Sequence, residues 1–257
     1  MEYQTIQIHH KDNYVIVQLD NGKVNAISLA LLRDLMHVFE QIEQNNDIKG
    51  VILAGRPHAF SAGLDIISVA SMSEEQMIEY WERYMGLMKQ MITLSKPLVA
   101  AITGYAPAGA TILALCTDYR VMGRGEKHVM GMHEFKMSLL IPEMLCDVYA
   151  YYLGEVQAWK AVQEARLYNS DEALAVGLVD ESVEVEMVLE RAEKHLKKQI
   201  AIYNKVFHKS KLFIRKGLYK IVLESDIKKL AREQVAFAKD PHFAHLVRTF
   251  AESLKRR

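Results

Sequence analysis

The chain has 257 residues, half of them apolar and a quarter charged, and its 32 basic side chains balance 32 acidic ones. With 13 Gly and 5 Pro, the composition excludes collagen-like and disordered classes. No apolar run approaches the ~20 residues of a membrane span, so no membrane association is expected.

A chain of this length buries a large core without disulfides or structural metal. Cys116 and Cys146 both lie in apolar sequence and are expected to be small buried hydrophobes of a reducing compartment. No secretory signal is visible at the N-terminus, and a cytoplasmic location is expected. The zero net charge hides an asymmetry: residues 201–257 hold 14 Lys/Arg against 5 Asp/Glu. Such a surplus marks either solvated helical faces or a region that meets an anionic partner.

Residues 3–9 and 14–20 alternate as paired strands around the turn-like Lys11-Asp12-Asn13. Ser28 opens a helix with Leu32, Leu35, Phe39 and Ile42 on one face, and Asn45-Asn46-Asp47 closes it. Gly50–Ala54 is apolar throughout, as in a strand covered on both faces. Ser73 and Gln76 form a capping box ahead of a helix carrying Met77, Trp81, Tyr84, Met88 and Met91. Strands follow at 97–103 and 119–122, with an Ala-rich helix over 107–115 between them. Strand–helix alternation predicts βαβ units and a largely parallel sheet. From Glu143 the texture turns helical, over 143–153, 156–166, 171–177, 185–204 and 225–238, with Asn169 as a cap and Gly177 as a stop. An α/β core over 1–195 and a helical region over 196–257 are predicted.

No metal or nucleophile motif is present: the ten His lack HExxH spacing, and GxSxG, CxxC and Walker A are missing. Gly123-Arg124-Gly125 lacks the third glycine of a dinucleotide loop. Two other loops carry more information. Phe60-Ser61-Ala62-Gly63-Leu64-Asp65 follows the strand at 50–54, and Gly104-Tyr105-Ala106-Pro107-Ala108-Gly109-Ala110 follows the strand at 97–103. Small residues at the carboxyl ends of neighbouring strands let a ligand reach backbone N–H groups. One such group at a helix N-terminus, paired with another, makes an oxyanion hole. Each loop taken alone also reads as a tight β–α connection.

The order of these loops and the 45-residue spacing from Leu64 to Gly109 resemble the crotonase, or enoyl-CoA hydratase/isomerase, superfamily. Asn21–Ser28, Cys116-Thr117-Asp118-Tyr119-Arg120 and Ala173-x-x-x-Gly177-Leu178-Val179-Asp180 extend the resemblance over nearly the whole chain. It implies a spiral of ββα units with a C-terminal helical trimerisation region, a homotrimer or dimer of trimers, and an acyl-CoA thioester as substrate. The N–H groups of Leu64 and Gly109 would hold the thioester oxygen, and Ala62, Gly63, Asp65 and Ile66 would line the path of the CoA moiety. Lys23 and C-terminal Lys/Arg would meet its phosphates, Lys205, Lys209, Lys211, Arg215 and Lys216 being possible contributors.

The reaction depends on carboxylates. Hydratases of the family hold a water between two glutamates, the first six positions before the Asp of the Cys-x-Asp segment; here that position is Ile112. Glu134 matches the second glutamate, with His133 beside it where a substrate contact is possible. The spacing, two residues longer than in typical hydratases, looks like the mitochondrial-type Δ3,Δ2-enoyl-CoA isomerases. A single carboxyl can take a proton from C2 and return it at C4, which is isomerisation. Glu143 is a possible second carboxylate or an acidic partner of a helix dipole. The expectation is an isomerase with Glu134 as its base, without metal or redox cofactor. Hydration is the alternative chemistry, and acyl-CoA or RNA binding the non-enzymatic one; nucleic acid binding is not expected.

Overall fold

The computed structural model describes residues 3–255. A hairpin opens the chain, β1 (Ile6–His10) against β2 (Tyr14–Leu19), with Ile6 opposite Leu19 and His10 opposite Val15. The Ser28 side chain accepts the Leu31 N–H and starts α1 (Leu29–Gln44), whose Leu31, Leu35, Phe39 and Ile42 are buried. Three further units repeat one theme of two strands and then a helix. The first is β3 (Gly50–Ala54), β4 (His58–Ala59), α2 (Ile66–Val69) and α3 (Glu74–Thr93). The second is β5 (Leu98–Ile102), β6 (Gly104–Pro107) and α4 (Gly109–Leu115). The third is β7 (Tyr119–Gly123), β8 (Val129–Gly131), a 3-10 turn at Glu134–Met137 and α5 (Glu143–Leu153).

Each unit gives one strand to each of two sheets. The large sheet runs β1-β2-β3-β5-β7-β10 and the small one β4-β6-β8-β9. The elements that complete them are α6 (Glu155–Gln163), β9 (Tyr168–Asn169), α7 (Ser170–Ala175) and β10 (Glu181–Val183). Apart from β1–β2 the large sheet is parallel, as the strand–helix alternation predicts. Its β3 and β5 are buried along their whole length because both faces are covered. One face meets α1 and α3; the other meets α8 (Val188–Ile200) through Val188, Ala192 and Leu196. The chain then continues as α9 (Asn204–Ile214), α10 (Lys216–Glu224), α11 (Ile227–Ala238) and α12 (Pro241–Lys255). Residue 195, where the sequence divides core from helical region, falls inside α8.

Several local expectations change. The first strand begins at Ile6 rather than residue 3, and the segment 104–110 contains β6, so α4 starts at Gly109 rather than Pro107. The helix expected over 185–204 is a 3-10 turn followed by α8, and β9 and β10 interrupt the helical C-terminal half. Cys116 is buried, but Cys146 is exposed: the first turns of α5 bury Met144 and Leu145 on the opposite face. Two of the C-terminal cations considered for phosphate contact are internal. Lys211 is 6% exposed and donates to the Leu94 carbonyl and to Asp118, while Arg215 pairs with Asp118 and donates to the Thr117 carbonyl.

Asp118, also an acceptor for the Leu98 N–H, therefore ties α9 and α10 to the start of β5. Removing this carboxylate leaves Lys211 buried without its counter-charge. Asp118→Ala is expected to cost about 3–5 kcal/mol in denaturant unfolding, against about 1 kcal/mol or less for removing the exposed Arg33–Glu79 pair by Glu79→Ala.

Candidate active site

The two small-residue loops meet. Gly63 has φ +82°, and a Cβ there would lie 3.1 Å from the Pro107 carbonyl oxygen and 3.4 Å from the Gly109 nitrogen. Glycine is required at 63 both by its dihedral and by this approach. A Cβ on Gly109 would in turn lie 3.0 Å from the Leu64 side chain. The parallel pairing of β4 with β6, His58 opposite Gly104 and Ala59 opposite Tyr105, sets this register.

Hydrogen bonds orient both peptide planes. The Gly63 carbonyl accepts the Ile27 N–H at 2.8 Å. In a trans peptide the N–H points opposite its carbonyl, so the Leu64 N–H faces away from Ile27. Gly109 is the first residue of α4, where an N–H has no partner within the helix. Among the described residues neither N–H donates to a protein acceptor. Ala108, just before, has φ +54° and ψ −127°, a strained conformation for a residue with a Cβ. It is held by its N–H bonding the Gly131 carbonyl at 2.7 Å, and by the Thr111 hydroxyl, which accepts the Gly131 N–H and donates to the Ala106 carbonyl.

Gly131 ends β8, and the chain leaving it carries Glu134. That side chain faces an apolar cavity of about 150 Å³ walled by Leu64, Met77, Trp81, Ile141, Leu145 and Phe243. Glu134 is the only acid among the lining residues. It is 5% exposed, and its Oε2 is buried without a hydrogen-bond partner. Burial pushes its pKa up to about 7, while the backbone N–H groups of Glu134 and His133 pull it down less strongly.

The remaining predicted residues divide. Ile66 lines the cavity with Leu64. Ala62 is half-buried and does not line it; its N–H bonds the Val24 carbonyl. The Asp65 carboxylate caps α2, accepting the Ser68 N–H and hydroxyl. His133 is not a lining residue of the cavity; its Nδ1 is buried and unpaired, and desolvation lowers its pKa. Lys23 is exposed next to the loop. Ile112 is fully buried in the core rather than at the cavity. Glu143 is exposed and lines a separate polar groove with Asp147, Lys220 and Lys229. The sequence reading missed the wall contributed by α12, including Phe243, Val247 and Arg248. An apolar helical stripe at the end of a chain does not say which surface it covers.

The site thus holds two backbone N–H groups without protein acceptors on adjoining loops and one desolvated acid in an apolar cavity that Leu64 also lines. Residues 10–256 match the enoyl-CoA hydratase/isomerase family, and the chain belongs to it. It is 35% identical to mouse mitochondrial enoyl-CoA delta isomerase 1 over 79% of this chain and 70% of that protein. The human protein of that name is 32% identical over 79% and 67%. The fold is the crotonase fold: the structure of human mitochondrial Δ3-Δ2-enoyl-CoA isomerase superposes with a TM-score of 0.93, at 27% identity, over 98% of this chain and 99% of that one. An enoyl-CoA hydratase from Bacillus halodurans shares the fold, with a TM-score of 0.86 at 21% identity over 96% and 100%.

A buried acid of this kind destabilises the native state once ionised. Between the ordinary glutamate range and about 7, the folded chain holds a proton that the unfolded chain has released, so stability falls as pH rises through that window. Glu134→Gln removes the effect. Relative to the wild type it is expected to gain roughly 1–3 kcal/mol in unfolding free energy between pH 5 and pH 8. Equal pH slopes for the two proteins would show that the carboxyl is not desolvated.

Proposed function

We propose that the protein is a Δ3,Δ2-enoyl-CoA isomerase in which Glu134 moves the proton and the N–H groups of Leu64 and Gly109 hold the thioester oxygen. The single observation that carries this reading is the partnerless Glu134 Oε2, buried as the only acid of an apolar cavity. The carboxylate takes a proton from C2 of a 3-enoyl thioester. The electron pair delocalises over a dienolate, whose oxygen accepts the two N–H groups, and the same carboxyl returns a proton at C4. The product carries its double bond at C2–C3, conjugated with the carbonyl. The raised pKa makes Glu134 a stronger base than an exposed glutamate, and the apolar walls leave the acyl chain in contact with Trp81, Met77 and Phe243.

Hydration needs a second group to hold and deprotonate water. Ile112 stands at the family position for that group and is buried in the core, which supports isomerisation over hydration. No metal or redox cofactor enters this chemistry, since coenzyme A arrives with the substrate. Lys23, exposed just before the residue whose carbonyl accepts the Ala62 N–H, and Arg248, which lines the cavity, are candidates to meet its phosphates.

The helical region over 196–257 is the proposed trimerisation region. α9 exposes Val206 (54%), Phe213 (67%) and Ile214 (82%), an apolar face of the kind that contacts between protomers cover. Light scattering at micromolar concentration is expected to give the mass of three or six chains; a monomer contradicts this.

Purified protein given 3-enoyl-CoA is expected to form 2-enoyl-CoA with little 3-hydroxyacyl product, and Glu134→Gln to lower turnover at least 100-fold, the scale of a positioned general base. Glu143→Gln leaves turnover within about threefold, because this residue lies outside the cavity. For the wild type, kcat/KM rises about tenfold per unit of pH below about 7 and levels off above it. Rapid hydration of 2-enoyl-CoA, or full isomerisation by Glu134→Gln, overturns the reading.

A further inference from the structure

Among the residues α3 buries, two carry hydroxyl groups, and both hydroxyls end on the backbone of the donor loops. The Tyr84 hydroxyl donates to the Gly109 carbonyl at 2.7 Å. The Tyr80 hydroxyl donates at 2.7 Å to the carbonyl of Ile27, the residue whose N–H holds the Gly63 carbonyl. Asp65 N–H closes on the same Ile27 oxygen at 3.2 Å, so Ile27 clasps the Leu64 peptide from both sides. Each tyrosine is fully buried and neither lines the Glu134 cavity.

We propose that Tyr80 and Tyr84 are positioning residues that set the separation and direction of the two N–H donors, with α3 as the rigid element between them. Residues four apart on a helix share one face, with their Cβ atoms about 5–6 Å apart. One helix therefore reaches both loops at a fixed spacing. A core in need of volume alone is filled by Phe or Leu, without desolvating a phenol. Burial raises both phenol pKa values well above the usual range, so each hydroxyl stays a donor at every pH at which the enzyme works. The loops need an external brace because Ala108, a residue with a Cβ, sits at φ +54°, a conformation that does not hold itself. Tyr84 fixes the Gly109 side of the approach and Tyr80, through Ile27, fixes the Gly63 side.

This inference rests on the oxyanion-hole reading above, and the experiment separates the two. The probe is a saturated acyl-CoA carrying ¹³C at the thioester carbonyl, whose stretching band is read by difference infrared spectroscopy in the bound state. The wild type is expected to shift the band to lower frequency than free thioester; no shift means that the hole itself is misassigned, and the proposal falls with it. If the wild-type shift is present, Tyr84→Phe and Tyr80→Phe are each expected to return the band part-way to the free position. They lower kcat by about tenfold, less than the loss of a whole donor, while thioester dissociation constants change by less than threefold. Met88→Leu, on the buried face of the same helix, lowers the melting temperature but leaves band and kcat unchanged. Should one Phe variant fail to fold, the other carries the test. Phe variants that lose thermal stability but keep the wild-type band and kcat make the tyrosines packing residues and overturn the proposal.

Discussion

The site depends on one close approach, the Gly63 backbone against the Pro107–Gly109 backbone, where even a methyl group would stand 3.1 Å from a carbonyl oxygen. Bringing two loops this near consumes conformational freedom and leaves Ala108 strained. The parallel β4–β6–β8 sheet supplies the register, Thr111 and the Gly131 carbonyl hold the second loop, and Ile27 holds the first. The same Gly131 begins the segment that delivers Glu134. Donors and acid therefore share one framework, and a shift in β8 moves both.

The acid represents the opposite kind of arrangement. Two other buried charged clusters are matched: Asp118 receives Lys211, Arg215 and the Leu98 N–H, and Arg120 pairs with Asp180. Glu134 has an oxygen with no partner. Leaving this carboxyl desolvated costs stability at neutral pH, and a group so perturbed inside a cavity marks a candidate functional site. The enclosing walls come from distant parts of the sequence, α2, α3, the loop before α5 and α12, so the cavity forms only when the C-terminal helices dock.

Long periodic segments made much of this legible in the sequence. The stripe of α1, the Ser73–Gln76 capping box, the apolar β3 and β5, and the Asn169 cap appear where their patterns put them. The strands of the small sheet did not, because runs of two to four residues such as His58–Ala59 and Tyr168–Asn169 show no alternation and exist only through tertiary pairing. At the site, Leu64, Gly109 and Glu134 were reached through the spacing of two small-residue loops and the resemblance that it carries. The cap that the Asp65 carboxylate makes on α2 was not legible, because an acid beside a glycine loop looks the same whether it meets a ligand or caps a four-residue helix. Tyr84 was visible as part of a core stripe, yet nothing in the stripe said where its hydroxyl ends. A polar tip on a buried face is the one signal that asks for a partner.

The central claim is that one enclosed carboxyl carries the proton both ways. Isomerisation of a 3-enoyl-CoA deuterated at C2, run in ordinary water and stopped early, tests it through the isotope content of C4 in the product. A single desolvated Glu134 predicts that a measurable fraction of the deuterium removed from C2 reappears at C4, and that this fraction falls when the cavity is opened by Phe243→Ala. Complete replacement by solvent hydrogen in the first turnovers of the wild type would contradict the account, because the second proton would then come from another group or from water.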